Sequence, residues 1–135
     1  MTQQEQQNVQ AVQRLYDAFG RGDIPTILDG LAEDVEWNEV PGGTPPFRGT
    51  YRGREAMGEF FRQLGETAEV ARFEPKEFLA QGDTVVALGS YTFRSRAGGK
   101  SWDTDWAMAW RLRDGRVARF QVFKDTATEN AALAA

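Results

Sequence analysis

Large apolar residues alternate with small or charged ones through most of the second half of the chain. Trp106, Met108, Trp110 and Leu112 are interleaved with Asp105, Ala107, Ala109 and Arg111. Strand side chains point to opposite faces with a period of two, so the bulky set lines one face. In the next run Phe120, Val122 and Lys124 share a face, with Gln121, Phe123 and Asp125 opposite. Asp114-Gly115 between the runs is a hairpin signal, because both residues tolerate the positive φ of a type I′ turn. Gly82-Asp83 and Gly98-Gly99 punctuate the chain in the same way. The spacing predicts four strands, about 69–81, 84–96, 101–113 and 116–125, joined as an antiparallel meander. Pro75 suits an edge strand or a bulge in the first of them.

The first half follows a helical period instead. Val9, Val12, Tyr16 and Phe19, widened by Leu15 and Ala18, predict a helix from about Gln4 to Phe19, closed by Gly20 or Gly22. Asp23 can cap a second helix with Pro25 in its first turn and Ile24, Ile27, Leu28 and Leu31 inward. Residues 35–40 alternate as a short strand, with Val35, Trp37 and Glu39 on one face. The Pro- and Gly-rich residues 41–53 predict a long loop of the functional or mobile kind. A third helix is expected over about Arg54–Leu64, burying Met57, Phe60, Phe61 and Leu64. A last short helix is expected from the capping-box pattern Thr126-Ala127-Thr128-Glu129. Helices first and an antiparallel sheet second describe an α+β domain spanning 1–135, with helices on one sheet face.

Composition narrows the chemistry. The chain has neither Cys nor His, which removes disulfides, thiolate catalysis, Ser-His triads and the commonest transition-metal ligands. Carboxylates alone would have to hold a metal, and no calcium-loop spacing is present, so no metal and no cofactor are expected. A net charge of −4 disfavours nucleic acid and anionic membranes; the arginines of the second half read as wet strand rims. Without a membrane-length apolar run or a signal-like start, the expected setting is cytoplasmic.

Order and spacing together resemble a known superfamily. The signatures are Val12-Gln13-Arg14-Leu15-Tyr16 with Phe19 and Gly22-Asp23, then Leu31-Ala32-Glu33-Asp34-Val35-Glu36-Trp37. Gly49-Thr50-Tyr51-Arg52-Gly53-Arg54-Glu55-Ala56, Phe60-Phe61, Gly82-Asp83 and Asp114-Gly115-Arg116-Val117 follow. The chain resembles SnoaL-like and ketosteroid-isomerase-like proteins of the nuclear-transport-factor-2-like superfamily. The resemblance implies a cone-shaped fold: three N-terminal helices on a strongly curved, mainly antiparallel sheet enclosing an apolar pocket, commonly as a homodimer.

The superfamily hosts isomerases, cyclases, dehydratases and noncatalytic binders, so function is carried over position by position. The isomerases' general base, an Asp on the strand after the second helix, aligns with Glu39. Their oxyanion donors, a Tyr and a protonated Asp, fall on Leu15 and Met108; Tyr16 stands next door, turned by about 100° of helix. The final Asp of limonene-type epoxide hydrolases falls near Val122, and scytalone-type dehydratases need His. The acid/base Asp of SnoaL-type cyclases matches Asp125, which alternation turns away from Phe120 and Val122 and which also reads as a turn or cap residue beside Thr126.

The candidate site is therefore Glu39 and Asp125 for proton transfer. Tyr16, Trp37, Phe61, Trp106, Met108, Trp110, Phe120 and Val122 are expected to line the pocket. Phe47 and Tyr51 are expected to close it from the loop and Lys124 to stand at the rim, with Tyr91 either pocket or core. Lys124 is also readable as a solvated strand-end residue, and Asp103 and Asp105 as outer-face groups. The expected partner is a small hydrophobic, aromatic or polycyclic molecule. Two readings stand: a cofactor-independent isomerase, cyclase or lyase with Glu39 as base, or a noncatalytic binding or accessory protein using the same cavity.

Overall fold

The computed structural model describes residues 1–134. Helix α1 (Gln3–Gly20) begins two residues after the chain does, because Thr2 and Glu5 form a capping box. Thr2 Oγ1 accepts from the Glu5 amide at 3.1 Å while the Thr2 amide donates to the Glu5 carboxylate at 2.8 Å. That Thr-x-x-Glu signal sits in the sequence and moves the start ahead of the first apolar residue. Helix α2 (Ile24–Asp29) is capped by Asp23 as expected, and α3 (Gly53–Thr67) runs a turn longer than its apolar stripe.

Strand β1 (Leu31–Asn38) is followed by a loop and the short β2 (Thr50–Arg52). The meander is β3 (Ala68–Gln81), β4 (Thr84–Ser95), β5 (Ser101–Arg113) and β6 (Arg116–Lys124). Helix α4 (Thr126–Leu133) closes the described chain. Sheet order is β2-β1-β6-β5-β4-β3, antiparallel except that β1 lies parallel to β6. The sheet is thus mixed and not closed into a barrel, an α+β arrangement with helices against one face.

The turn between β5 and β6 has φ of 53° at Asp114 and 80° at Gly115, the signs a type I′ hairpin needs. Pro75 lies on β3, an edge strand, beside a register shift at Pro75/Glu77. A second shift, where Arg111↔Arg119 is followed by Leu112↔Val117, gives β6 one extra residue. This bulge lets Val117 and Phe120 both turn inward although three positions separate them. Trp106, Trp110 and Leu112 are buried on the helix side, while Asp103 and Asp105 are exposed on the other. Gly89, paired with Trp106, admits that indole: a Cβ there would lie 2.5 Å from a ring carbon and 2.4 Å from the Glu74 carbonyl oxygen.

Candidate functional site

The inner sheet face and the helices meet in a wall of aromatic rings. Trp37 from β1 stacks on Phe120 from β6 with centroids 3.7 Å apart, and Trp110 meets both edge-on at 5.6 and 4.7 Å. Helices supply Tyr16, Phe60, Phe61 and Leu64, and β4 supplies Tyr91 and Phe93. Between them remains a void of about 70 Å³. The cone is largely filled by its own side chains.

Two polar features interrupt this wall. The first is the Tyr16 hydroxyl, which accepts from Trp110 Nε1 at 2.9 Å and donates to the Met108 thioether at 3.2 Å. Burial pushes its titration far up, so it remains a donor. The single-residue helical offset between Leu15 and Tyr16 does not take Tyr16 out of the cavity, because both side chains reach it.

The second is a buried charged cluster. Trp37 Nε1 donates to Glu39 Oε2 at 2.8 Å, and Lys124 Nζ stands 3.7 Å from Glu39 Oε1. The same ammonium lies 3.0 Å from Glu129 Oε1, an ionic approach without hydrogen-bond alignment, and donates to the Tyr91 hydroxyl at 3.3 Å. Tyr91 in turn donates to Glu129 Oε2 at 2.5 Å. The Phe47 ring covers Lys124 with its centroid 4.4 Å from Nζ. Side-chain exposure is 3% for Lys124, 5% for Glu39 and 0% for Glu129.

Desolvation raises the Glu39 carboxyl above its ordinary range, with Lys124 and the Trp37 indole pulling the other way. Glu36, three residues earlier on the outer face, shows the contrast. Hydrogen bonds from Asn38, Arg119 and Arg52 hold it down at about 2. Strand alternation thus separates two glutamates into an inert surface carboxylate and a buried carboxyl able to gain and lose a proton.

Of the expected residues, Tyr16, Trp37, Glu39, Phe47, Phe61, Met108, Trp110, Phe120, Val122 and Lys124 line the void together. Lys124 is buried rather than standing at a wet rim. Three others lie elsewhere. Asp125 is the exposed N-cap of α4, accepting from the amide and hydroxyl of Thr128, and these bonds hold its carboxyl low. Tyr51 donates its hydroxyl to the Pro46 carbonyl at 2.7 Å and packs edge-on against Phe60, outside the lining. Trp106 is one layer deeper, stacked under Tyr16 and Phe73 at 5.7 and 5.2 Å.

Glu129 escaped the sequence reading, which assigned it to a capping box with Thr126. Because Asp125 takes the cap, Glu129 falls one turn in and on the buried side, beside Ala132. Its one sequence signal is an acidic residue sharing a helix face with that alanine. Helix α4 also holds the loop after β1: Asn130 donates to the Gly42 carbonyl at 2.8 Å and accepts from the Thr44 hydroxyl at 2.7 Å. The expected long loop is therefore pinned at its middle, which seats Phe47 on Lys124. Among the described residues no cluster of three or more acidic side chains is placed to hold a metal ion, and no helix is long and apolar enough to cross a membrane.

A fold of this kind around an aromatic cavity defines a class, and comparison identifies it. Residues 12–120 match the model of the SnoaL-like domain, and the chain belongs to that family, within the nuclear-transport-factor-2-like superfamily. A nuclear-transport-factor-2-like protein from Burkholderia xenovorans LB400 is 34% identical, with a TM-score of 0.87 over 96% of this chain and 98% of that one. A second, of unknown function, from Burkholderia pseudomallei K96243 is 32% identical over the same shares, with a TM-score of 0.89. TerC, co-crystallised with polyporic acid, is 30% identical over 94% of this chain and 98% of its own, with a TM-score of 0.82. A search of curated proteins finds no match.

Proposed function

We infer that the cavity takes a small, flat aromatic or polycyclic molecule and that Glu39 moves a proton at one of its carbons, as an isomerase, cyclase or lyase would. The observation that carries this reading is a glutamate in the aromatic wall whose carboxyl burial pushes toward neutrality. Such a group takes a proton from a carbon acidified by an adjacent carbonyl and returns it elsewhere. The Tyr16 hydroxyl supplies the complementary donor for the oxygen that gains charge. Its present acceptor is a thioether, a weak one, so a ligand oxygen displaces it at little cost.

Ligand pockets commonly measure about 300–1,000 Å³, so entry has to widen the 70 Å³ void. Met108, a flexible thioether chain, and Phe47, carried on the loop after β1, are the side chains suited to yield. The co-crystallisation of TerC with polyporic acid supports a small organic ligand. In the same reading two cytoplasmic copies pair through the outer sheet face, where Phe123, 59% exposed, lies directly across from Ala107.

The test uses 2-tetralone, a flat aromatic ketone with acidic C–H bonds, and follows deuterium uptake from D₂O by proton NMR. Glu39→Gln should slow catalysed exchange by at least about a hundredfold, the low end of a general base's contribution. Quenching of tryptophan fluorescence by the ketone should persist, because the rings supply the binding. Binding with no catalysed exchange in the natural chain would leave the noncatalytic reading instead.

A further inference from the structure

Two glutamates share one buried ammonium, and they do not share it equally. Lys124 Nζ is 3.0 Å from Glu129 Oε1 but 3.7 Å from Glu39 Oε1, the latter beyond hydrogen-bond reach. Tyr91 reinforces the inequality: it accepts from Lys124 and donates to Glu129, closing a three-membered ring of contacts on the α4 side. Glu39 receives its one hydrogen bond to a side chain from the neutral Trp37 indole.

We propose that Glu129 is a positioning residue acting through Lys124: it holds the ammonium toward α4 and leaves Glu39 Oε1 free to take a proton. The inference rests on Glu39 being the cavity's proton acceptor and names a residue on which that role depends. Glu129 does not line the void. It acts on Glu39 in two ways with the same sign. Its own negative charge repels a charge on Glu39, and its hold on Lys124 keeps the attracting charge at a distance. The groups that face Glu39 complete the picture. Trp37 comes from β1, Lys124 from β6, Tyr91 from β4 and Tyr51 from β2, besides Glu129 on α4. Of these, Lys124 alone carries positive charge, so its placement decides how readily Glu39 loses its proton. Asp125 caps this helix, and residue 129 lies on its buried face with Ala132.

The experiment titrates the protein without substrate, following glutamate side-chain carboxyl carbons by ¹³C NMR. In Glu129→Gln the ammonium loses its nearer partner and swings toward Glu39. The Glu39 midpoint should fall by at least one pH unit, about tenfold in proton affinity, as the ammonium closes from 3.7 Å to hydrogen-bond distance and the Glu129 repulsion is removed. Lys124→Met should move the same midpoint upward. Adding Glu129→Gln to Lys124→Met should then produce a smaller fall than it does alone, because only the direct repulsion is left to remove.

A folded Glu129→Gln protein whose Glu39 midpoint does not move overturns the proposal, as does an equal fall in both backgrounds. Should the variants not fold, the natural chain decides. The Lys124 ¹⁵N ammonium signal should respond to the carboxyl carbon of Glu129, and a dominant coupling to Glu39 would refute the arrangement. Because no turnover is measured, these outcomes are independent of the Glu39→Gln exchange test. Loss of exchange catalysis and loss of the Glu129 effect can each occur without the other.

Discussion

Lys124→Met is the sharpest perturbation available for the buried cluster. The methionine chain fills most of the space of the lysine stem, so packing loss is small and the change is chiefly electrostatic. What it leaves is a pair of carboxylates, 0% and 5% exposed, with no cation between them. Two unit charges 4 Å apart interact by about 4 kcal/mol at the effective dielectric typical near a protein surface. Removing one partner of a buried ion pair typically costs about 3–5 kcal/mol. The expected loss at pH 7 is in that range, a large part of the roughly 5–15 kcal/mol that stabilises a domain, and should lower Tm by more than about 10 °C.

The loss should depend on pH with a definite sign. Burial already raises the Glu39 carboxyl above 4.5, and Lys124 opposes the rise; removing Lys124 raises it further. Between the unfolded and folded midpoints the native state binds more protons than the unfolded one. Stability of the variant therefore falls as pH rises through that window and recovers as pH falls toward 4.5. Urea unfolding followed by tryptophan fluorescence at pH 7 and pH 5 measures both quantities. A deficit against the natural chain below about 1 kcal/mol at pH 7, or one of the same size at both pH values, would refute the reasoning.

Phe120→Ala removes a ring that is 1% exposed and stacked on Trp37, and should cost about 3–5 kcal/mol in chemical denaturation. Asp125→Ala should leave 2-tetralone exchange unchanged. Its Tm should drop slightly at neutral pH, and the drop should shrink as acid titrates the depressed carboxyl, since that stabilisation is present only while the cap is ionised. Light scattering at micromolar concentration should give twice the 15.1 kDa chain mass, and Phe123→Arg should return it to one; a natural chain of single mass would remove the outer-face interface.

Period-two alternation was enough to assign both faces of β5, and of β6 from Phe120 onward, because a one-residue slip would have put Trp106 and Trp110 in water. Trp37 and Glu39 were readable together for the same reason. The parallel pairing of β1 with β6 was not readable: Leu31 and Val117, or Trp37 and Phe120, meet only once α3 and the strands β3 to β5 have brought the chain back. Nor did local pattern reveal that Tyr51 spends its hydroxyl on Pro46 or that Trp106 lies behind Tyr16, since both follow from packing across elements. For Asp125 and Glu129 the competing cap assignments differ by one residue, and that residue decides which carboxyl is wet and which is buried.

The fully buried Glu129 has no counterpart in what a core alone requires. Apolar residues of similar size would fill the same space without desolvating a carboxylate, an ammonium and a second carboxylate, and buried ion pairs are often neutral or worse for stability. Here the same three side chains sit where the aromatic cavity meets α4, and two of them, Glu39 and Lys124, line the void. Helix α4 contributes an exposed cap at Asp125, a buried charge at Glu129 and a clasp on the Phe47 loop at Asn130, all within six residues. Loop and cluster therefore respond to one element. A ligand that moves Phe47 to enter uncovers Lys124, and with it the charge balance that sets the proton affinity of Glu39. In the reading proposed above, with Glu39 as the base, access to the cavity and readiness of that base are coupled.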